Sequence, residues 1–137
     1  MSEALVYIAA RVAVGDAAVV RAALMVAEGE MVPAAAREVG ATKWQVRKLY
    51  DMLRALAVLN TPSLPALRAA VDELERLMRE DGVKPRGDAC PFCGYRAASK
   101  RSLLFHLHTS HRDRLERLVE KLSPAAAAAA PSPARAR

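Results

Sequence analysis

Both cysteines and all three histidines of the chain fall within residues 90–111. Four of them, Cys90, Cys93, His106 and His111, have the spacing C-x2-C-x12-H-x4-H. Thiolate sulfur and imidazole nitrogen are the ligands that a structural zinc ion takes at its tetrahedral corners. The spacing therefore predicts one structural zinc ion, and four protein ligands leave no open coordination position for catalysis.

Two other interpretations of these residues are weaker. Cys90 and Cys93 could form a redox pair, but such a pair usually opens a helix in a strand–helix fold. His108 also lies in this segment. It is too close to His111 for the usual ligand spacing and lies well around the helix from His106. We expect His108 to be a surface or packing residue.

The segment resembles the two-cysteine, two-histidine zinc finger family over residues 88–111. Leu103, three residues before the first histidine, matches the core leucine of that family. The resemblance implies a small ββα unit that its metal ion folds. The chain departs from the family at Ala97, where the family has an aromatic residue. Tyr95 and Phe92 are the two candidates to fill that space.

A second group of candidate binding residues lies between Val32 and Leu53. Two helical segments meet at Gly40, which can adopt the positive φ of a tight turn, and the small Ala36 precedes it by one helical turn. Residues 42–57 carry four basic side chains and one acidic one, whereas residues 1–41 carry three basic and five acidic ones. The side chains expected to be exposed here suit contacts to bases and phosphates. They are Thr42, Lys43, Trp44, Gln45, Arg47 and Lys48.

This segment resembles the helix-turn-helix family of DNA-binding proteins, which implies that the helix from residue 43 enters the major groove. The stretch KLYDMLRALAVL is similar to the end of a winged-helix recognition helix, although Asn60 to Pro65 is too short for a complete wing. Alanine-rich helix pairs joined by glycine also occur in bundles that do not bind DNA. A tryptophan at the position of Trp44 is more often a partly buried anchor than a base contact.

The finger offers one more candidate DNA contact. Counting back from His106 places Arg101 where the finger family meets bases, so Arg101 could contact guanine or phosphate. Leu104 and Phe105 make the same helix unusually apolar. A finger that faces protein instead of DNA is therefore an open alternative.

Helical periodicity covers nearly the whole chain, so the predicted fold class is mainly α. Asp16, Thr42, Ser63 and Ser99 are the expected helix caps. We expect a helix-turn-helix bundle in residues 1–60, with helices at 3–14, 17–28, 32–39 and 43–58. A long helix over 63–81 and a linker occupy 61–87, and the ββα finger with an extended helix occupies 88–122. The alanine- and proline-rich tail, 123–137, is predicted to be disordered.

Two apolar stripes alternate by three and four residues, one in 63–81 and one in 104–122. Such stripes favour helix-on-helix packing. The packing could occur within the chain or between two chains, and a homodimer through either segment is open.

The composition limits the function further. The net charge of +6 favours a polyanionic partner such as nucleic acid. No run of 18 apolar residues and no basic leader are present, so we expect a cytoplasmic, intracellular protein with no membrane partner. One asparagine and one glutamine are present, which fits a heat-adapted source or a GC-rich genome. No nucleophile paired with a free histidine, no carboxylate pair and no phosphate-binding loop is recognisable, so we predict neither an enzyme nor a small-molecule substrate.

Together the patterns and the two resemblances imply a transcription regulator of the archaeal or archaeal-virus type that binds duplex DNA and one zinc ion. The alternative is a zinc-finger adaptor that docks a protein, such as a part of the transcription machinery, and binds nucleic acid only non-specifically. An RNA-binding accessory protein is a third hypothesis, which the low aromatic content disfavours.

Overall fold

The structure is a computed structural model that describes residues 3–56, 59 and 64–129. These residues form eight helices and no strand, so the predicted mainly α class is confirmed. The helices are α1 Glu3–Ala13, α2 Ala17–Ala27, α3 Val32–Val39, α4 Lys43–Ala55, α5 Leu64–Glu80, α6 Lys100–Ser110, α7 Arg112–Glu120 and α8 Pro124–Ala127.

Local sequence signals explain three of the helix ends. Gly40 ends α3 with φ of 73°, a left-handed conformation that glycine adopts at little cost. Thr42 and Gln45 form a complete capping box at the start of α4. In this box the Gln45 amide donates a hydrogen bond to the Thr42 hydroxyl at 3.1 Å, and the Thr42 amide donates one to the Gln45 side-chain oxygen at 2.9 Å. Ser99 caps α6 by accepting a bond from the Ser102 amide.

Asp16 does not cap α2 as the sequence predicts, because its side chain makes no cap hydrogen bond. Its carboxylate instead pairs with Arg11 at 2.7 Å and with Lys100 at 3.0 Å. The side chain is almost completely buried. An ion pair to a residue 84 positions away thus replaces the local capping bond.

The largest core is built around α1, which packs against α2, α5, α6 and α7. Eight of its eleven residues are buried, among them Leu5 and Ile8. The same core includes Leu103 and Leu107 of α6 and Leu115 of α7. The segment predicted as a separate finger therefore shares its apolar interior with the first helix of the chain.

A smaller core joins α2, α3 and α4, which all pack against one another. It contains Ala22, Ala35, Ala36 and Val46. Three alanines at the helix contacts permit close approach of the backbones. Val46 packs α4 on this core, and Leu49 and Leu53 of the same helix belong to the main core, so α4 is held by one side and carries exposed residues on the other.

Both apolar stripes are buried inside this single chain. Leu67, Val71, Leu74 and Met78 of α5 belong to the main core, as does Leu118 of α7. A homodimer through 63–81 or 104–122 would therefore have to use surfaces other than these stripes.

The segment between α5 and the finger packs on the bundle instead of spanning open solvent. Val83 is buried. Gly15, at the α1–α2 turn, has φ of 96°, and a Cβ atom there would lie 3.1 Å from the Cβ of Pro85. The turn therefore needs glycine both for its backbone and for the approach of Pro85.

Two predicted ranges differ from the structure. The helix expected to run to Leu122 is interrupted at His111, which separates α6 from α7. Order also extends into the alanine-rich tail, where α8 packs against α5 and Ala126 and Ala129 are buried. Glu73 of α5 accepts hydrogen bonds from the Ser123 amide and hydroxyl, at 2.8 and 2.6 Å, which anchors the start of this helix.

Other predictions fall outside the described residues. They are the disorder of 130–137, the turn at Asn60–Pro62, the cap at Ser63 and most of the region where a wing would lie.

The two strands of the predicted ββα unit do not form within the described residues. Only two isolated bridges occur, Arg86 with Ala89 and Ala89 with Arg96. Two bonds close an irregular loop: the Cys90 amide donates to the Tyr95 carbonyl, and the Ala97 amide to the Asp88 carbonyl. Glycines of positive φ at 87 and 94 bend the chain on both sides of these few pairs. The ladder is therefore too short to count as strands.

Candidate metal centre and exposed basic helix

The four predicted ligands lie together although they come from different elements. One ligand atom each from Cys90, Cys93, His106 and His111 lies within 4.8 Å of the others. The Sγ of Cys93 is 3.3 Å from the Nε2 of His106. In a tetrahedral zinc site with bonds of about 2.0–2.3 Å, neighbouring ligands would be about 3.3–3.8 Å apart. The group is therefore close enough to hold a metal ion and is compatible with zinc.

A tight turn positions the two sulfur atoms. The Gly94 amide donates to the Cys90 carbonyl at 2.8 Å, and Gly94 takes the left-handed φ of 82° that closes the turn. The Phe92 amide donates to the Cys90 Sγ at 3.4 Å. Backbone amides that point at a sulfur stabilise its thiolate, which is the form that binds a metal.

The break between α6 and α7 positions the second histidine. Residues five apart on one continuous helix project about 140° away from each other. His111 leaves the helical path with φ of −128° and lies beside His106, with ring centroids 5.1 Å apart. Its Nε2 is buried and has no hydrogen-bond partner within the described residues. A metal ion would supply a partner for this nitrogen. Without one, a buried polar atom that forms no hydrogen bond lowers the stability of the fold.

The surroundings favour the neutral forms of Cys90 and His111 when no metal is bound. Burial raises the pKa of the Cys90 thiol. Burial lowers the pKa of His111, and His106 and Arg114 lower it further. A neutral imidazole is ready to bind a metal, whereas a thiol must first lose its proton, so metal binding should release protons.

Aromatic rings hold both imidazoles in place. Tyr95 stacks on His106 with centroids 4.4 Å apart, and Phe92 packs against His111 at 5.2 Å. Phe92 also contacts the main core, while Tyr95 remains 52% exposed. Of the two candidates for the missing aromatic at Ala97, Phe92 is therefore the one that joins the core.

His108 lies outside the metal cluster, as the spacing predicts. Its Nδ1 is 3.1 Å from the Leu104 carbonyl oxygen, within hydrogen-bond distance. Its ring is 6.2 Å from that of Tyr7 in α1. His108 therefore lies where α6 packs on α1.

The candidate DNA-contacting residues of α4 form one exposed face. Thr42, Lys43, Gln45 and Lys48 are all exposed, as are Trp44 and Arg47. The Trp44 side chain is 77% exposed, so it is not a buried anchor. Arg47 pairs with Asp51 at 3.4 Å, but this contact is on the surface and contributes little to stability.

Arg101 lies apart from that face. It lines a groove of about 550 Å³ with Tyr95, Ser102, Phe105, His106 and Thr109. Its neighbour Lys100 instead lines a cleft with Gln45 and Lys48 of α4. No local pattern marks Lys100, because its proximity to α4 comes only from the packing of the finger against the bundle.

Comparisons of the chain with protein-family models, with curated proteins and with solved structures find no match in any of the three. In the part of the chain that the structure describes, no helix is both long enough and apolar enough to cross a membrane.

Proposed function

We propose that this protein is a DNA-binding transcription regulator in which α4 is the recognition helix and a zinc ion at Cys90, Cys93, His106 and His111 stabilises the C-terminal part. The observation that carries the proposal is the outer face of α4. There the single tryptophan of the chain is 77% exposed among three basic side chains, Lys43, Arg47 and Lys48.

The packing of α4 supports a role in the major groove. Val46 and Leu49 are buried on its inner side. The exposed residues occupy the rest of its circumference, from a groove beside Pro33 of α3 to a cleft beside Val19 of α2. An α-helix with its side chains is about 10–12 Å across, and the major groove is about 12 Å wide. Arginine, lysine and glutamine are the side chains that read guanine and adenine edges or bind phosphates. This face therefore has the shape and chemistry that duplex DNA requires.

Zinc has a structural role in this proposal. Bound at the four ligands, it would tie the turn at Cys90 and Cys93 to α6 and to the start of α7. Both helices pack on α1. The metal thus supports the side of the molecule on which Lys100 approaches α4.

The double replacement Arg47→Ala and Lys48→Ala tests the recognition helix. Both side chains are exposed, so the fold should be retained. We expect affinity for duplex DNA to fall about ten- to a hundredfold, since individual base contacts contribute about 1–3 kcal/mol. The slope of log K against log salt should also flatten by about two, one for each lost cation. Fluorescence anisotropy with a labelled duplex over a range of salt measures both quantities.

The matched control is Arg76→Ala with Lys121→Ala. Arg76 pairs with Glu80 four residues later on an exposed helix surface, as Arg47 does with Asp51, and Lys121 is exposed. The control removes the same two charges from surfaces other than α4. Equal affinity and equal salt slope in the two double variants would contradict a recognition role for α4.

The exposed aromatic groove of the finger favours a second candidate, the protein-binding adaptor. Phe105 is 69% exposed and Tyr95 52% exposed, and both line the groove with Arg101. In this case Phe105→Ser should abolish capture of one specific protein and leave zinc content and DNA affinity unchanged. A pull-down with Arg47→Ala/Lys48→Ala should still recover that protein. If both variants recover the same proteins as the unmodified chain, this groove is not a docking site.

A further inference from the structure

A cleft of about 190 Å³ separates α4 from the start of α6. It is lined by Arg11 and Asp16, by Val19, by Gln45 and Lys48 of α4 and by Lys100 of α6. We propose that this cleft binds a backbone phosphate of the DNA whose major groove α4 reads, and that Lys48 and Lys100 are the cations in contact with it. This inference rests on the proposed function and assigns the finger a backbone-binding role.

The charges of the cleft leave two cations available for an anion. Asp16 is held by Arg11, whose side chain is only 14% exposed and also donates to the Tyr7 hydroxyl at 2.9 Å. Arg11 is therefore already neutralised by Asp16. Lys100 uses one of its three donor hydrogens for Asp16, and its side chain is 45% exposed. Lys48 is exposed and forms no ion pair within the described residues.

The position of the cleft relative to α4 also fits a phosphate. Gln45 and Lys48 are three residues apart and share one edge of the helix. Lys43 and Arg47 lie on the other edge, where they line a groove with Val32 and Pro33 at the start of α3. A helix in the major groove has a phosphate backbone along each side. The finger therefore borders the edge of α4 that would face one of these backbones.

Asp16 does not need Lys100 to neutralise its charge, because Arg11 already does so. The Arg11 contact to the same carboxylate is shorter, 2.7 Å against 3.0 Å, and Arg11 is the more deeply buried cation. Asp16 instead holds the Lys100 ammonium at the mouth of the cleft. The positive end of α6, which begins at Lys100, adds to the local positive potential.

Lys100→Ala tests the cleft, with Lys121→Ala as the control because Lys121 is an exposed lysine of the same half of the chain. We expect Lys100→Ala to weaken duplex binding about three- to tenfold and to flatten the salt slope by about one. The loss should be the same for every duplex sequence, since phosphate contacts carry no sequence information. Lys100→Arg should restore both quantities. If Lys100→Ala lowers the melting temperature, Lys100→Met keeps the length of the side chain and removes only the charge.

The outcomes separate this inference from the proposed function. If Arg47→Ala/Lys48→Ala weakens binding while Lys100→Ala and Lys100→Met match the control, the cleft does not bind phosphate and the recognition helix stands. If none of these variants affects DNA binding, the proposed function itself fails. A loss at Lys100 that depends on the duplex sequence would also overturn the inference, because it would indicate a base contact.

Discussion

Cys93→Ser is expected to abolish zinc binding and to unfold α6 and α7, and it should also destabilise α1, on which both helices pack. The Sγ of Cys93 lies 3.3 Å from the Nε2 of His106, and serine has nearly the same size but is a poor zinc ligand. Structural zinc binding in finger peptides is worth about 10–16 kcal/mol, which is as large as the stability of a whole domain. We therefore expect loss of stoichiometric zinc and loss of the α6 and α7 helical signal. Metal analysis and circular dichroism measure the two effects.

Two histidine variants accompany this experiment, one that should lose zinc and a matched control that should retain it. His106→Asn should also lose zinc, because it removes a cluster ligand. His108→Asn should retain it, because His108 is directed at the Leu104 carbonyl instead. If all three variants contained the same amount of zinc, Cys93 and His106 would not be zinc ligands.

Leu115→Ala is expected to lower the free energy of unfolding by about 2–5 kcal/mol, the usual cost of a fully buried leucine truncated in a core. Leu115 is completely buried, and its helix α7 packs on both α1 and α5. The N-terminal helices should therefore lose stability together with the finger. Urea unfolding followed by circular dichroism, together with hydrogen exchange of α1 amides, measures this loss.

The control for the core is Leu77→Ala, which truncates a partly buried leucine of α5. Leu77→Ala should lower the free energy of unfolding by clearly less than Leu115→Ala does. Two separate unfolding transitions, with α1 unaffected by Leu115→Ala, would show that the finger and the bundle are independent modules.

Local patterns in the sequence predict much of this fold. Gly40 with Thr42 and Gln45 marks one helix junction, and Ser99 marks the start of α6, because each signal acts within a few residues. The grouping of Cys90, Cys93, His106 and His111 can be predicted for a similar reason. Ligand type and spacing are set by the coordination chemistry of one ion and do not depend on the rest of the chain.

What the sequence does not predict depends on distant contacts. Asp16 is a good local cap, but Arg11 and Lys100 compete for its carboxylate, and Lys100 is close only in the folded protein. The helix break at His111 is likewise not marked in the sequence, since helical periodicity continues through it. The cleft between α4 and α6 has no sequence signature because its walls come from residues about 50 positions apart.

The central position of α1 has a consequence for synthesis of the chain. This helix is made before α7, which packs on it and follows more than 90 residues later in the chain. At about 5–20 residues per second the interval is roughly 5–20 s. During that time α1 lacks the helix that completes its packing, so its core can be closed only after residue 120 has been made.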